Sequence, residues 1–239
     1  MLVNLHRLIG FVYRKTDQWT RPFIFNRQKK QVLAAYPQLR PVMEAFERRY
    51  IRVEYGAHDL SLMERIQRKI AQDERYIYGA TPWVALLRLS QEIEIRPDEV
   101  FVELGCGTGH FCFFMQQVFG VQAIGIEALN TFVLNAKEMM QELSEPPSSL
   151  HFEGLQFLNL DFMHFNFSRA SLFYAAWTCF PEAVRAAILE KFFRECKPGT
   201  RLLVLTHALD DPRLELKHAF ETFFSWGRDV VRLYELKPA

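Results

Sequence analysis

Three glycines at alternate positions, Gly105, Gly107 and Gly109, constrain the fold of this chain more than any other feature. They follow the largely apolar run from Val100 to Leu104, which is typical of a buried strand, and precede Phe111 to Met115, which opens a helix. Glycine is needed where a backbone turns sharply or approaches a ligand, because a Cβ atom would obstruct both. The strand, the turn and the helix together predict a nucleotide site at the carboxyl edge of a parallel sheet.

The spacing of these glycines favours one class of nucleotide. The dinucleotide fingerprint is G-x-G-x-x-G, whereas this chain has G-x-G-x-G with Glu103 two residues before the first glycine. A carboxylate there suits a ligand with an ammonium and a sulfonium group and does not suit a pyrophosphate. The segment resembles motif I of the class I S-adenosylmethionine (SAM)-dependent methyltransferases, so SAM is the expected cofactor.

Two further acids follow at the ends of predicted strands. Glu127 ends the strand that begins at Val121, and Asp161 ends the strand that begins at Leu155. An acid at the position of Glu127 can accept hydrogen bonds from both hydroxyls of a ribose. In the methyltransferase arrangement that this order resembles, Asp161 lies beside the adenine amino group.

The remaining pattern predicts an α/β fold. Strands are expected over Ser171 to Ala176 and Arg201 to Thr206, followed by a hairpin from Phe220 to Leu236 that turns at residues 227–229. This order corresponds to a Rossmann-like, seven-stranded methyltransferase sheet with one antiparallel strand. The connection over residues 162–170 is too short for a full helix. We expect a methyltransferase domain over residues 81–239 and a helical extension over residues 1–80 that covers the substrate.

Charge is unevenly distributed along the chain. Residues 1–54 contain 11 Lys and Arg against 4 Asp and Glu, whereas residues 97–239 carry a net charge of −6. The basic segment is expected either to meet an acidic partner or to form a solvated helical face against the acidic domain. The apolar positions from Leu2 to Val12 fit one face of a helix, either interfacial or docked on the main domain.

Other features limit the class of protein. His6 and Arg7 interrupt the N-terminal apolar residues, so no signal peptide is expected, and no apolar run reaches the length of about 18 residues that spans a membrane. The four cysteines lack a metal-binding spacing and are expected to be reduced thiols in a cytoplasmic protein without a metal.

Within the superfamily, residues 76–207 resemble the Dot-one-like, non-SET histone-lysine methyltransferases and related small lysine methyltransferases. The matching elements are Tyr78-Gly79-x-Thr81, Phe101-Val102-Glu103-Leu104-Gly105-x-Gly107-x-Gly109, Gly125-x-Glu127, Asp161-Phe162, Phe173 with Pro181-Glu182, and Pro198-Gly199-x-Arg201. The resemblance implies three groups of cofactor contacts. Those at the methionine end of SAM are Tyr78, Thr81, Glu103, Gly105 and Gly107 in the turn that Gly109 completes; Glu127 holds the ribose; Asp161 and Phe162 hold the adenine.

The chain departs from this family after its fourth strand. There the family has a paired-asparagine N-N-F segment that lines the lysine channel, and the corresponding residues here are Ala175, Ala176 and Trp177. Polar side chains are therefore missing at that position. The methyl acceptor, a protein lysine or a small molecule, stays open.

For catalysis, Tyr78 and Trp177 are expected to flank the sulfonium or a cationic amine through cation–π contacts. His207, at the end of the fifth strand, and His110 are the imidazoles near the expected site and could remove a proton from the acceptor. Two alternatives remain, a non-catalytic SAM-binding scaffold and an NAD-type oxidoreductase.

Overall fold

A computed structural model describes residues 22–53, 56–224 and 227–238. These residues build a seven-stranded sheet in the order β3-β2-β1-β4-β5-β7-β6. Its strands are β1 (Val100–Leu104), β2 (Gln122–Glu127), β3 (Leu155–Asn159), β4 (Leu172–Ala175), β5 (Arg201–Leu205), β6 (Leu214–Phe224) and β7 (Gly227–Leu236).

The first five strands pair in parallel, and β7 runs antiparallel to both β5 and β6. This arrangement confirms the predicted seven-stranded, Rossmann-like methyltransferase sheet. The strand order reverses between β1 and β4, and ligands of open α/β sheets bind at the carboxyl ends of the strands beside such a reversal. The connection from β3 to β4 contains two short 3-10 turns, Phe162–His164 and Phe167–Arg169, as its length predicts.

Helices cover both faces of the sheet. They are α1 (residues 22–35 of the described chain), α2 (Arg40–Phe46), α3 (Ala57–Gln67), α4 (Trp83–Glu92), α5 (His110–Phe119), α6 (Asn130–Ser144) and α7 (Glu182–Glu195). On one face Phe101 of β1 packs against Phe111 of α5, with ring centroids 4.8 Å apart. On the other face Phe173 of β4 packs against Phe192 of α7 at 5.7 Å. In the described part of the chain, no helix combines the length and the apolarity needed to cross a membrane.

The N-terminal helices share the core of the main domain. The ring of Phe46 in α2 lies 6.2 Å from that of Phe25 in α1 and 5.7 Å from that of Trp83 in α4. Charged groups add to this docking, since Arg49 Nη1 lies 2.8 Å from Glu138 Oε2 of α6. Part of the basic charge of the N-terminal segment is therefore paired with acidic residues of the same chain. A domain boundary at residue 80 stays a prediction, and the helix expected over Leu2 to Val12 lies outside the described residues.

Several element ends differ from the sequence prediction. The pair Thr81-Pro82 is typical of a helix start, with threonine as the cap and proline as the first helical residue, so it predicts that helix α4 begins at Pro82. In the structure Pro82 is the capping residue and the helix begins at Trp83. Strand β6 begins at Leu214, six residues before the predicted start, because polar residues on its exposed face and a bulge at Leu216/His218 break the apolar alternation. Residues 227–229, expected to form the turn, are part of β7.

Candidate active site

The glycine turn is shaped by two aromatic rings. Gly107 has φ +50°, and a Cβ atom on it would lie 2.5 Å from Cε2 of Tyr78. Gly109 has φ +76°, and a Cβ atom on it would lie 2.4 Å from Cε1 of Phe157. Any other residue would collide with a ring at both positions and would also strain the backbone. The ring of Tyr78 therefore lies directly on the turn.

A cavity of about 460 Å³ opens at the carboxyl ends of β1 to β4. Each strand end contributes to its wall, and the loop before α4 covers it. Of the residues predicted from sequence, those lining the cavity are Tyr78, Gly105, Gly107, Glu127, Asp161 and Phe162. Their contacts with a ligand stay predictions, but the fold brings all six to one space.

Glu127 braces the glycine turn from the end of β2. Its Oε2 accepts a hydrogen bond from the backbone N–H of Gly107 at 2.9 Å, and its Oε1 accepts one from the N–H of Leu129 at 2.8 Å. Burial raises the pKa of this carboxyl group, and the backbone donors oppose that rise. Each oxygen retains a lone pair for a further donor, so the group can still bind the hydroxyls of a ribose.

The end of β3 offers a polar edge next to an apolar wall. Asp161 Oδ1 accepts a hydrogen bond from the N–H of Met163 at 2.9 Å, which holds the first 3-10 turn. The ring of Phe162 packs against that of Phe180, with centroids 5.5 Å apart. A flat base with an exocyclic amino group matches this combination, because the rings can stack on it and the carboxylate can accept its N–H.

Three of the predicted cofactor residues lie outside the cavity wall. Gly109 caps α5 beneath the turn, and the Thr81 hydroxyl pairs with the Tyr174 hydroxyl at 2.6 Å. Glu103 is buried behind the turn, where Cys112 Sγ donates to its Oε2 at 3.3 Å. Burial raises the pKa of the Glu103 carboxyl well above its ordinary value, which favours the neutral form.

Trp177 is not placed as expected. Residues 177–179 form a 3-10 turn, and this turn directs the indole into the core, where it is fully buried. The adjacent Ala176 and Thr178 line the cavity instead. This corrects the expectation that the Trp177 ring flanks the reacting group.

The two histidines considered as bases are also placed differently. His207 is absent from the described residues that line the cavity, and its backbone N–H bonds to the carbonyl oxygen of Leu205 at 2.7 Å. His110 is buried, and both of its ring nitrogens have partners: Nδ1 lies 3.0 Å from the Thr108 hydroxyl and Nε2 lies 2.6 Å from the Thr81 carbonyl oxygen. Neither imidazole is among the described residues that line the cavity, and a role of His207 as a base stays a prediction.

His110 instead belongs to a hydrogen-bond chain that reaches the cavity. The Thr81 carbonyl can only accept, so Nε2 of His110 carries the hydrogen and Nδ1 accepts from Thr108. The Thr108 oxygen in turn lies 3.3 Å from the Tyr78 hydroxyl, which is its donor. Burial lowers the pKa of His110 to about 4, so the ring is neutral at physiological pH. The chain fixes Tyr78 over the glycine turn.

Sequence reasoning missed Thr108 and Thr178 as site residues. Both follow predicted strands closely, and that proximity is the signal that could have found them. Arg75 was also missed; it lines the cavity and pairs with Asp73, its Nε lying 2.9 Å from Asp73 Oδ1.

Comparison with known proteins agrees with this geometry. The model of the family "Histone methylation protein DOT1" matches residues 64–223, more than half of the chain. A histone-lysine N-methyltransferase of Dictyostelium discoideum, specific for histone H3 lysine 79, is 28% identical over 121 residues, which cover 46% of this chain and 6% of that protein. This chain therefore corresponds to a small part of that relative.

Two solved structures share the fold. An RNA methyltransferase from Salinibacter ruber, in complex with S-adenosyl-L-homocysteine, aligns with a TM-score of 0.53 and 19% identity over 67% of this chain and 95% of its own. MtNAS in complex with MTA and tNA aligns with a TM-score of 0.52 and 12% identity over 76% of this chain and 71% of its own. At these identities the likeness concerns the fold alone. With the family match over residues 64–223, we conclude that the chain belongs to the DOT1 family of histone methylation proteins.

Proposed function

We propose that this protein transfers the methyl group of SAM to the side-chain amine of a lysine in a protein. The proposal rests on one observation: the glycine turn, Glu127 and the Asp161-Phe162 pair all line the same cavity. This cavity lies at the strand ends, where folds of this kind bind nucleotides. Membership in the DOT1 family and the name of the Dictyostelium relative support lysine as the acceptor.

Successive groups of residues along the cavity match the adenine, the ribose and the amino acid portion of SAM. Phe162 and Asp161 would hold the adenine, Glu127 the ribose, and the turn at Gly105 and Gly107 the amino acid portion. When bound, SAM supplies a methyl group on a sulfonium, which is already activated for transfer. The protein therefore contributes alignment and the exclusion of water.

Tyr78 has the clearest role among the residues around the expected reaction centre. Its ring is held on the turn by the hydrogen bond to Thr108 and by packing against Phe132, with ring centroids 5.0 Å apart. Burial raises the pKa of its phenol, so it stays protonated and acts as a donor and an aromatic wall. The face of such a ring attracts a cationic group.

The experiment combines binding with transfer. Calorimetry with SAM, with S-adenosylhomocysteine and with NAD is expected to give binding of the first two alone. Incubation of the protein with methyl-labelled SAM and recombinant core histones or nucleosomes is expected to give labelled lysine, identified by mass spectrometry. Folded protein that binds NAD and not SAM would support the oxidoreductase alternative and overturn the proposal.

Matched variants refine the assignment. Glu127→Ala is expected to weaken SAM binding at least about tenfold, because it removes the ribose acceptor and the brace on Gly107. If this variant binds SAM with normal affinity, the assignment of Glu127 to the ribose is wrong, whereas the proposed function is unaffected. Binding of SAM by the wild type without transfer to any histone amine would favour the scaffold alternative. An acidic partner for the basic N-terminal segment and a cytoplasmic location stay predictions.

A further inference from the structure

Three side chains form a hydrogen-bond chain that ends in the cavity wall beside β4. The Thr206 hydroxyl donates to Asp229 Oδ2 at 2.5 Å, and the oxygens of Thr206 and Thr178 lie 2.9 Å apart. Thr178 lines the cavity, whereas Thr206 and Asp229 lie behind it, at the end of β5 and within β7. We call this set the Thr178–Thr206–Asp229 chain.

The direction of these hydrogen bonds is fixed by the acid. A carboxylate has no hydrogen to donate, so the single hydroxyl hydrogen of Thr206 is committed to Asp229. The hydrogen shared between the two threonines must then come from Thr178. The Thr178 oxygen therefore has lone pairs but no free hydrogen, so toward a ligand in the cavity that Thr178 lines it can only accept a hydrogen bond.

The backbone at Thr206 is strained in a way that supports this arrangement. Thr206 has φ +65°, a conformation that β-branched residues very rarely adopt. Such strain persists where the surroundings hold the residue, and it clusters at functional sites. Here Asp229 and Thr178 hold the side chain, and Arg232 Nη1 donates to the Thr206 carbonyl oxygen at 3.4 Å.

The rest of the wall on this side is mostly apolar. Among the described residues that follow β4 and line the cavity, Thr178 and Cys179 are the ones with a polar group, and their neighbours are Ala176, Phe180, Ala183, Val184 and Ala187. Burial raises the pKa of the Cys179 thiol, which keeps it neutral. The Thr178 oxygen is therefore the strong acceptor on the wall where Ala175 and Ala176 replace the amides expected from the family resemblance.

We propose that Thr178 accepts a hydrogen bond from an N–H of the methyl acceptor, and that Thr206 and Asp229 are positioning residues that hold the Thr178 hydroxyl in the accepting orientation. This inference rests on the function proposed above and narrows its substrate to amines that retain an N–H. In the step itself, an ammonium first loses a proton to solvent. The nitrogen lone pair then forms the new C–N bond while the C–S bond breaks and its electron pair passes to sulfur.

The proposal limits the product. A primary amine and its monomethyl product each retain an N–H for Thr178 when the nitrogen lone pair points at the methyl group, whereas a dimethylated amine retains none. We therefore expect mono- and dimethyllysine as products, with a third methylation slower by about tenfold or more.

The test removes and restores the hydroxyl. Thr178→Val deletes it at nearly constant volume, and Thr178→Ser restores it. As a matched control, Thr200→Val deletes a buried threonine hydroxyl that has no partner among the described residues and is outside the cavity. The assays are kcat/KM for core histones with methyl-labelled SAM, the methylation state of the product, and the Kd for SAM by calorimetry.

We expect Thr178→Val to lower kcat/KM about tenfold to hundredfold with the Kd for SAM within about twofold of the wild type, because one hydrogen bond to the acceptor is lost. Thr206→Val should also lower kcat/KM. The kcat/KM of Thr178→Ser should be within about threefold of the wild-type value. Thr200→Val should match the wild type. An active wild type equalled by Thr178→Val, or efficient trimethylation, would overturn this proposal alone. A wild type that methylates no histone amine would overturn the proposed function as well.

Discussion

Nε2 of His110 lies 2.6 Å from the carbonyl oxygen of Thr81, so the first residue of α5 is hydrogen-bonded to the loop that covers the cavity. This bond belongs to a neutral, buried ring. The glycine turn and the Tyr78 loop are therefore held together by a group whose protonation state matters to both.

The stability of the protein should depend on pH through His110. Its pKa is about 4 in the folded protein and about 6.5 when unfolded, so the unfolded state binds more protons between these values. The neutral ring of His110 makes its full contribution to the unfolding free energy above pH 6.5. This contribution is lost as the pH falls through 4, and the total loss is at most about 3 kcal/mol. Urea unfolding of the wild type and of His110→Gln from pH 4 to 8 measures it. Parallel pH profiles for the two proteins would contradict this assignment.

Gly107→Ala should abolish or greatly weaken SAM binding. The new Cβ atom would lie 2.5 Å from Tyr78 Cε2, so the ring must move off the turn. Gly120→Ala is the matched control, because Gly120 also has a positive φ, +68°, but no atom lies within 4 Å of the added Cβ. We expect the control to cost about 1 kcal/mol of stability and to bind SAM normally. Equal SAM affinities in the two variants, measured by calorimetry, would count against a role of the turn in holding the ligand.

Glu103→Gln should gain stability relative to the wild type as the pH rises. Burial raises the pKa of Glu103 in the folded state, so the stability that the neutral acid contributes is present below pH 4.5 and is lost as the pH rises through the folded value. Gln cannot ionise, but its oxygen can still accept from Cys112. The difference in unfolding free energy between variant and wild type should grow from pH 5 to pH 9. SAM affinity, measured on the same samples, tests whether Glu103 also contacts the ligand.

The ion pair between Glu99 and Arg201 should matter far more than the exposed pairs. Arg201 Nε lies 2.8 Å from Glu99 Oε1, and both side chains are at most 5% exposed. Glu99→Gln leaves a buried guanidinium without a full partner and should cost about 3–5 kcal/mol. The control Glu215→Gln breaks an exposed pair with Lys217 and should cost less than about 1 kcal/mol. Similar urea midpoints for the two variants would refute this ranking.

Trp177→Phe should affect stability and leave catalysis unchanged. The indole is fully buried, and its Nε1 has no partner among the described residues, so the replacement loses packing without breaking a hydrogen bond. We expect a loss of about 1–2 kcal/mol in unfolding free energy and an unchanged kcat/KM below the melting temperature. A drop in kcat/KM without a change in stability would restore Trp177 to the reaction centre.

The parts of the fold that follow from local sequence were predictable. The glycine turn, the acids at Glu127 and Asp161, and the short β3–β4 connection each depend on a few adjacent residues, and the structure has them where the pattern indicates. Strand β6 was harder, because an edge strand with one solvated face and a bulge lacks a regular apolar alternation.

The orientation of side chains after a strand was not predictable in the same way. Whether Trp177 or Thr178 faces the cavity depends on the 3-10 turn at residues 177–179, and a rotation of about one residue exchanges them. Likewise, the partners of His110 and of Asp229 are far away in sequence and become neighbours only through tertiary packing. Proximity to the site was evident from the sequence, but the hydrogen-bond partners were not.

The two oxygens of Glu127 each hold a backbone N–H, one from the glycine turn and one from the start of the segment leading to α6. The acid that would recognise the ribose is thus also a structural member of the turn that receives the rest of the ligand. A substitution of Glu127 that suited a different nucleotide would therefore also remove a hydrogen bond from the turn. Ligand preference and loop shape are coupled through this one side chain.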